Sequence, residues 1–470
     1  MPTYYLAIDI GASSGRHMLG WIQEGKLKLE EIYRFPNELI RSENSLCWDY
    51  EALFAHIISG LKRCKELGKI PRSMGIDTWA VDFVLLNKEG KPLGKSVAYR
   101  DSRTQGMDEK VFAKISEREL YERTGIQKLP FNTIYQLMST KETLDEADSL
   151  LMVPEYFNFL LTGAKKAEYT NATSTQLVNA KTKDWDFELI EKLGYPSHIF
   201  QSIHAPGTTV GTFAEEISNQ VGFDCEVVLP ATHDTASAVM AMPTHSDAIF
   251  LSSGTWSLIG IERLEADGSE LARAFNFTNE GGYEGRFRFL KNIMGLWMVQ
   301  SLQKELLGKY SFSELCLLAS KSPIAAIVDC QDPRFLAPDS MISAIQDYCR
   351  EHQLPMPDSV GDLAAVIYNS LAHCYKTAVS ELELISGKVY KDIHIIGGGS
   401  QADYLSELTA KLTGKTVFAG PVEATAIGNI GSQLIQMGEM PNLKAFRQLV
   451  SHSYEIKLFE GEQHHVKKAV

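Results

Sequence analysis

The stretch Tyr4-Tyr5-Leu6-Ala7-Ile8-Asp9-Ile10-Gly11-Ala12-Ser13-Ser14-Gly15-Arg16-His17-Met18-Leu19-Gly20-Trp21-Ile22 sets two mainly apolar runs on either side of a turn of small residues. Tyr4 to Ile10 suits one short strand and Arg16 to Ile22 alternates like a second, so the pattern predicts a hairpin. Small side chains from Gly11 to Gly15 leave backbone N–H groups and serine hydroxyls open to an anion the size of a phosphate. Asp9 ends the first strand at the base of this turn. A carboxylate there is useful if Mg²⁺ lies between it and the phosphates, directly or through water. The same composition also serves as an ordinary turn.

The arrangement recurs at mid-chain. Ala248 to Leu251 is a short apolar run, Ser252-Ser253-Gly254-Thr255 a Ser/Gly turn, and Trp256 to Ile261 a second strand. Two halves that each open strand, phosphate-sized hairpin, strand imply an internal duplication. Met242-Pro243-Thr244-His245-Ser246-Asp247 has the composition of a linker, which divides the chain into residues 1–243 and 244–470. A length of 470 residues agrees with more than one core, since chains of this size divide into about two to four domains.

Immediately before that linker, Leu229-Pro230-Ala231-Thr232-His233-Asp234-Thr235-Ala236-Ser237-Ala238 delivers a His and an Asp into a helix start of little bulk. Asp234 reads either as a catalytic carboxylate that another molecule can approach or as an N-cap. Other stretches carry polar groups into apolar surroundings. Met74 to Leu86 is a strand-like run interrupted by Asp77, Trp79 and Asp82, and buried polar groups of that kind must be satisfied or functional. Tyr99 to Arg103 reads as a ligand clamp or as a surface ion-pair cluster, and Tyr169 to Thr173 as a polar loop. Trp48 is expected to continue the first sheet, and Asp49 to cap a helix. Asn279 to Gly282 reads as a loop, followed by a helix carrying Asn292 and Gln300 near its ends, where Asn292 either bonds a ligand hydroxyl or caps its own helix. Gly397-Gly398-Gly399 follows an apolar strand and precedes a helix, so a flat group can lie on bare backbone. Pro421 to Gly431 is a small-residue helix that must pack closely against something.

Composition narrows the partners. Hydrophobic residues make up 44% and charged residues 22%, values of a globular enzyme. No stretch approaches the roughly 20 apolar residues of a spanning helix, and the first residues enter a strand without a basic leader; the expected location is cytoplasmic, without membrane attachment. Seven scattered cysteines, with no C-x-x-C pair, read as reduced packing residues. A net charge of −13 argues against nucleic acid, which requires a basic footprint. Gly90 to Ser96 is one residue short of P-loop spacing and Gly414-Lys415-Thr416 lacks the first glycine, so there is no Walker-type site.

Two Ser/Gly hairpins, a glycine-rich strand-to-helix turn and no P-loop describe an ATP site in a duplicated chain. The strings Asp9 to Arg16, Asp77 to Asp82, Arg100 to Arg103, His233 to Ala238, Ser252 to Ser257, Asn292 to Trp297, Gly397 to Gly399 and Pro421 to Gly431 resemble, in order, those of the FGGY family of carbohydrate kinases. The resemblance runs from about Ala7 to Val450. It implies an α/β, two-domain, duplicated actin-like ATPase (ribonuclease H-like) fold with a central interdomain cleft. It also implies ATP as co-substrate, Mg²⁺ bound at Asp9, a small-molecule ketose as acceptor, and a monomer or small homo-oligomer. By resemblance, Ala12, Ser13, Ser14, Gly15, Arg16, Thr255, Gln300 and Gly398 contact ATP, and Ala80, His233, Asp234, Thr235 and Asn292 contact the sugar. Asp234 is then the base that takes the proton of the acceptor hydroxyl. The branch of the family most resembled phosphorylates L-rhamnulose at its 1-hydroxyl; there Gly stands where this chain has Ala80. L-fuculose, L-xylulose or glycerol as acceptor, and an actin- or chaperone-like ATPase, are the alternatives.

Overall fold

The apolar run Tyr4–Ile10 lies inside a six-stranded sheet whose order is Thr209–Thr212, Glu226–Val228, Pro71–Thr78, Tyr4–Ile10, Ser14–Gln23, Lys26–Pro36. The structure is a computed structural model that describes residues 2–42, 44–244, 247–461 and the backbone of 463–468. His245 and Ser246 of the expected linker lie outside the described residues. Tyr4–Ile10 is parallel to Pro71–Thr78, which is parallel to Glu226–Val228, while the remaining neighbours run antiparallel. Strands covered on both faces read as continuous apolar runs rather than alternating ones. Tyr5, Leu6, Ala7, Ile8 and Ile10 are accordingly all buried.

The chain divides into two compact units. The first comprises Met1–Ala241, Glu262–Phe289 and Thr425–Ser453; the second comprises Met242–Ile261, Leu290–Ala424 and Tyr454–Val470. In the first unit the helix Tyr50–Glu66 begins at Asp49, whose side chain accepts from Ala52 N at 2.9 Å. Leu53, Ile57 and Leu61 of that helix pack in one core with Leu6, Ile8, Met74 and Ile76 of the strands. Each such aliphatic side chain contributes about 1.5–3 kcal/mol by leaving water. A second core, with Leu120, Ile134, Leu137, Leu150, Leu189 and Ile190, holds the more helical stretch between residues 107 and 200.

The second unit repeats the sheet pattern of the first. Trp256–Arg263, Ile249–Ser253, Asp392–Ile396, Thr416–Ala419 and Lys457–Glu460 lie in that order. Their successive pairings are antiparallel, parallel, parallel and antiparallel. Starting from Ser14–Gln23, the first sheet has the same succession of senses. The duplication read from the two hairpins is therefore a duplication of strand topology.

The small-residue helix, Ala424–Gln436, belongs to the first unit from Thr425 onward. A Cβ at Gly428 would lie 1.8 Å from Ser237 O, and one at Gly20 would lie 2.6 Å from Ile430 Cδ1. Close approach lets polar side chains reach the sheet. Asn429 Nδ2 donates to Gly75 O at 3.1 Å and to Asp77 Oδ2 at 2.6 Å, and Gln433 Nε2 donates to Leu6 O at 2.9 Å.

Four local expectations differ from the structure. Trp48 follows the short strand Ser45–Cys47, which pairs with Ile40–Ser42 in a separate two-stranded sheet, because the indole is drawn inward to donate to Asp82. Tyr169–Thr173 is a buried helical turn rather than a loop, since the Glu168 carboxylate accepts from Thr170 N and Asn171 N. Thr278–Gly281 is a strand, not a loop. Asn292 lies in the strand Phe287–Met294, and the helix begins only at Trp297. Between that strand and the helix, the Gly295 backbone passes so close to Trp256 and Ser257, the first residues of Trp256–Arg263, that a Cβ would sit 2.5 Å from Trp256 C.

Gly428→Val tests the helix-to-helix approach. The added side chain has no room beside Ser237, so the variant should lose about 1–3 kcal/mol or more, the range for overpacking, read as a lower urea midpoint by tryptophan fluorescence. A midpoint equal to that of the parent protein would contradict the packing described.

Candidate active site

Adjacent parallel strands of the first unit end in carboxylates. Asp9 and Asp77 are partners in register across Tyr4–Ile10 and Pro71–Thr78. On the other side of Pro71–Thr78, Thr78 forms a parallel bridge with His233 and its N–H donates to Thr232 O at 2.9 Å. The chain therefore delivers Asp234 beside the same strand end. The carboxyl ends of parallel strands are where α/β sheets bind ligands.

Each carboxylate has its own partners. Asp9 Oδ2 accepts from Arg16 Nε and Nη2 at 3.0 and 2.8 Å. Asp77 Oδ2 accepts from Asn429, while its buried Oδ1 has no partner among the described residues. Asp234 Oδ1 accepts from Thr235 N at 2.5 Å and Thr235 Oγ1 at 3.1 Å. Asp234 opens the helix Asp234–Met240 as its first residue, so the cap position falls to His233. Burial, and next the charge of Asp9, hold the Asp77 carboxyl well above the usual carboxylate range. Burial and then Asp9 also raise Asp234, to about 7, against the lowering effect of its two bonds from Thr235. The Asp234 side chain keeps 31% of its surface exposed, so a substrate and water can reach it and the burial contribution is tempered.

The Asp9 charge raises both Asp77 and Asp234, and one oxygen of Asp77 has no hydrogen-bond partner among the described residues, a set that could accept a divalent cation. Among the described residues no three His, Cys, Asp or Glu side chains form a ready-made metal cage. Mg²⁺ suits this set better than a fully caged ion, because it keeps waters and is held by one or two carboxylates plus substrate phosphates. Asp9 and Asp77 are the side chains that could hold it.

His233 is almost fully buried. Its Nδ1 lies 3.0 Å from Arg288 Nη2 and 3.5 Å from Glu280 Oε2, and its Nε2 lies 3.6 Å from Asp234 Oδ1. Burial first, and the Arg288 charge second, push its pKa well below the ordinary histidine value. Beneath this loop lie Glu155 and Glu168, both buried. Glu168 Oε2 accepts from Thr232 N at 3.0 Å and Thr232 Oγ1 at 2.8 Å, and Glu155 Oε1 accepts from Glu168 N and Thr232 Oγ1, both at 3.2 Å. Burial, then the neighbouring Glu168, raises Glu155 to about 8.

Ala80 sits beside a polar knot. Asp82 Oδ2 accepts from Trp48 Nε1 at 2.6 Å, Trp79 Nε1 at 3.0 Å and Tyr99 N at 3.1 Å, and Oδ1 accepts from Gln136 Nε2 at 3.0 Å. Val81, next to Ala80, has φ of 67°. A β-branched residue in the left-handed region is strained and persists only where its surroundings impose it. Here Val81 N donates to Ser174 Oγ, and Thr133 Oγ1 and Gln136 Nε2 donate to Val81 O. Arg103 joins the same knot through Gln136, with its Nη2 also donating to Val97 O, while Asp101 accepts from Leu46 N.

The first hairpin turn closes through Gly11 N to Ser14 O at 2.9 Å. Asn37 braces it, its N donating to Ser13 O and its Nδ2 to Gly11 O. Gly15 cannot carry a side chain, since a Cβ would fall 2.1 Å from Phe35 Cζ. Ala12, Ser13, Ser14, Gly15 and Arg16 thus lie at the strand end that carries Asp9. Together with Ala80, His233, Asp234 and Thr235 they belong to the first unit.

Thr255, Asn292, Gln300 and Gly398 belong to the second unit. Leu296 N donates to Gly254 O and Trp297 N to Thr255 O, so the helix bearing Gln300 starts on the second hairpin. Gly399 also meets that hairpin, where a Cβ would lie 1.9 Å from Ser253 Oγ. Asn292 lies on the strand Phe287–Met294, which neighbours Trp256–Arg263 in the sheet, and its O accepts from Gln331 Nε2 at 3.4 Å. Asp77 stood out in the sequence as a polar interruption, without a role. Asn37, Glu155, Glu168, Glu280, Arg288 and Asn429 carried no local signal, and only their contacts bring them to the site.

Residues 4–241 match the N-terminal domain of the FGGY family of carbohydrate kinases, and residues 249–437 match its C-terminal domain. The chain is 50% identical to a rhamnulokinase of Halalkalibacterium halodurans, over 97% of this chain and 98% of that protein. It is 47% identical to a rhamnulokinase of Oceanobacillus iheyensis, over 96% and 97%. Its fold is similar to that of a ligand-bound xylulose kinase from Lactobacillus acidophilus, with a TM-score of 0.78, 16% identity, and coverage of 97% and 94%. No helix among the described residues is long and apolar enough to cross a membrane, and the seven cysteines are free thiols.

Burial of Glu155 makes stability depend on pH. A carboxyl raised from 4.5 to about 8 on folding keeps its proton in the folded state while the unfolded chain loses it. Stability should therefore fall as pH rises from about 4.5 to about 8, where the folded protein binds more protons. Glu155→Gln, a neutral mimic of the protonated acid, should flatten that slope in urea titrations. An unchanged slope would show that Glu155 is ionised in the fold.

Proposed function

As the chain belongs to the FGGY family of carbohydrate kinases, we propose that it transfers the γ-phosphoryl group of ATP to the 1-hydroxyl of L-rhamnulose, giving L-rhamnulose 1-phosphate and ADP. Near full-length likeness to rhamnulokinases supports the choice of acceptor. The observation that carries the chemistry is Asp234, a reachable carboxyl with its pKa raised to about 7 at the end of a parallel strand set. A base poised near neutral pH is the one best matched to accepting a proton there.

In this reading Thr235 holds Asp234 Oδ1, and Oδ2 accepts the proton of the 1-hydroxyl as its oxygen attacks the γ-phosphorus and the bond to the ADP oxygen breaks. The backbone N–H groups of Ala12, Ser13, Ser14, Gly15 and Arg16 hold phosphate oxygens. Arg16, tied to Asp9, adds positive charge at the same strand end. Thr255, Gln300 and Gly398 contact ATP, and Ala80, His233, Thr235 and Asn292 contact the sugar. Asp9 and Asp77 would hold Mg²⁺, directly or through water, and the ion would supply charge neutralisation for the transferred phosphoryl group. The functional halves are assigned to residues 1–243, with sugar and base, and 244–470, with the adenosine site. The enzyme is assigned to the cytoplasm as a monomer or small homo-oligomer.

Coupled assay of ADP formation with L-rhamnulose, L-fuculose, L-xylulose and glycerol tests the acceptor. L-rhamnulose should give the highest kcat/KM; another acceptor in first place would replace it, and ADP formation that none of them stimulates would sink the kinase reading. Asp234→Asn should lower kcat by about 10²-fold or more while leaving the protein folded, on the scale of general-base catalysis. Because the base works only when deprotonated, kcat/KM for the sugar should rise with pH through a midpoint near 7, the raised value of Asp234. A flat profile across that interval would remove Asp234 from the role.

A further inference from the structure

Arg288 is fully buried and sits among acidic groups from several elements. Its Nε donates to Gly281 O at 2.8 Å, its Nη2 lies 3.1 Å from Glu280 Oε2, and the same Nη2 lies 3.0 Å from His233 Nδ1. Glu280 and Gly281 belong to the strand Thr278–Gly281 and Arg288 to Phe287–Met294. On the remaining sides His233 meets Thr170 Oγ1, which accepts from its backbone N–H at 3.2 Å, and Asp234; Glu168 lies behind Thr170 and Thr232.

A guanidinium has only N–H donors, so an imidazole nitrogen 3.0 Å from it must accept. His233 Nδ1 therefore carries no proton. A neutral imidazole with an accepting Nδ1 has its proton on Nε2, and Nε2 is the nitrogen 3.6 Å from Asp234 Oδ1. That separation exceeds a hydrogen bond. One oxygen seated against both groups can accept from Nε2–H and give up its own proton to the carboxylate.

We propose that Arg288 is a positioning residue for phosphoryl transfer, fixing His233 as the Nε2–H tautomer so that the ring donates to the acceptor hydroxyl and leaves Asp234 as the sole base. The proposal rests on the reading of Asp234 as base and His233 as sugar contact. Glu280 shows why a positioning group is needed. Its Oε2 lies 3.5 Å from Nδ1, and without Arg288 it draws the ring proton to Nδ1. Nε2 then becomes an acceptor that competes with Asp234 for the hydroxyl proton. With Arg288 present, the guanidinium engages Glu280 and blocks Nδ1–H at once.

The tautomer is read directly from long-range ¹H–¹⁵N spectra of the whole protein labelled at its histidine ring nitrogens, with His233 assigned by comparison with His233→Asn. The wild-type protein, free of substrate, should show His233 as the Nε2–H tautomer from pH 6 to 8. Arg288→Met should move it to an Nδ1–H or mixed pattern, and Arg288→Lys, which keeps a cationic donor, should restore Nε2–H at least in part. Kinetically, Arg288→Met should lower kcat/KM for the sugar by roughly tenfold or more, the order found for partners that orient metal-bound histidines, while KM for ATP changes little. In a His233→Asn background the same substitution should add little, as expected when two residues act through one another. An Nδ1–H or imidazolium signature in the wild-type protein would overturn the proposal, as would full additivity of the two substitutions. Should Arg288→Met not fold, the wild-type spectrum and Arg288→Lys decide it. Because the spectra need no substrate, loss of the kinase reading shows as absent sugar-dependent turnover with the Nε2–H signature intact.

Discussion

Like charges converge at the ends of the parallel strands in the first unit, and the arrangement around them answers that convergence. Asp9 and Asp77 face each other in register, and Asp234 arrives from the next strand end. Left alone, buried carboxylates so placed would repel and take up protons. Arg16 neutralises Asp9, Asn429 supports one oxygen of Asp77, and the Thr235 N–H and hydroxyl support Asp234. Burial and the Asp9 charge still leave the Asp234 carboxyl raised to about 7.

The support for these carboxylates comes from distant parts of the chain. Asn429 and Gln433 lie on the helix Ala424–Gln436, yet bond backbone and side chains of the first sheet. Its glycine at 428 permits contact with the backbone at Ser237, on the helix that begins with Asp234. Glu155 and Glu168 hold Thr232 from beneath, and Arg288 reaches His233 from a strand 55 residues later in the chain. The loop that carries Asp234 is thereby fixed by contacts from several elements, and its geometry does not depend on local propensity.

Legibility in the sequence followed the range of the interactions. The two hairpins could be read because strand, Ser/Gly turn and strand are contiguous, and their repetition implied a duplication whose common strand topology the structure shows. Asp234 could be singled out because small residues surround it. Asn292 could not be placed, since Gly295 passes close to Trp256 and Ser257 just before the helix starts, a contact between segments far apart in the chain. Tyr169–Thr173 looked like a loop because its polar residues find their partners in Glu168 and in elements outside the stretch. Nothing in the sequence around Arg288 marks it, because its guanidinium meets Glu280, Gly281 and His233 only through tertiary contacts.

The sequence by itself determined the α/β class, the duplicated hairpins, the absence of a P-loop and membership in a kinase family, because each is carried by local periodicity, turn chemistry or contiguous motifs. Tertiary structure decided which carboxylates meet, which residues stabilise them, and which nitrogen of His233 carries its proton. Those outcomes rest on electrostatics and hydrogen bonding over a few ångströms between residues tens to hundreds of positions apart, and no local pattern encodes such distances.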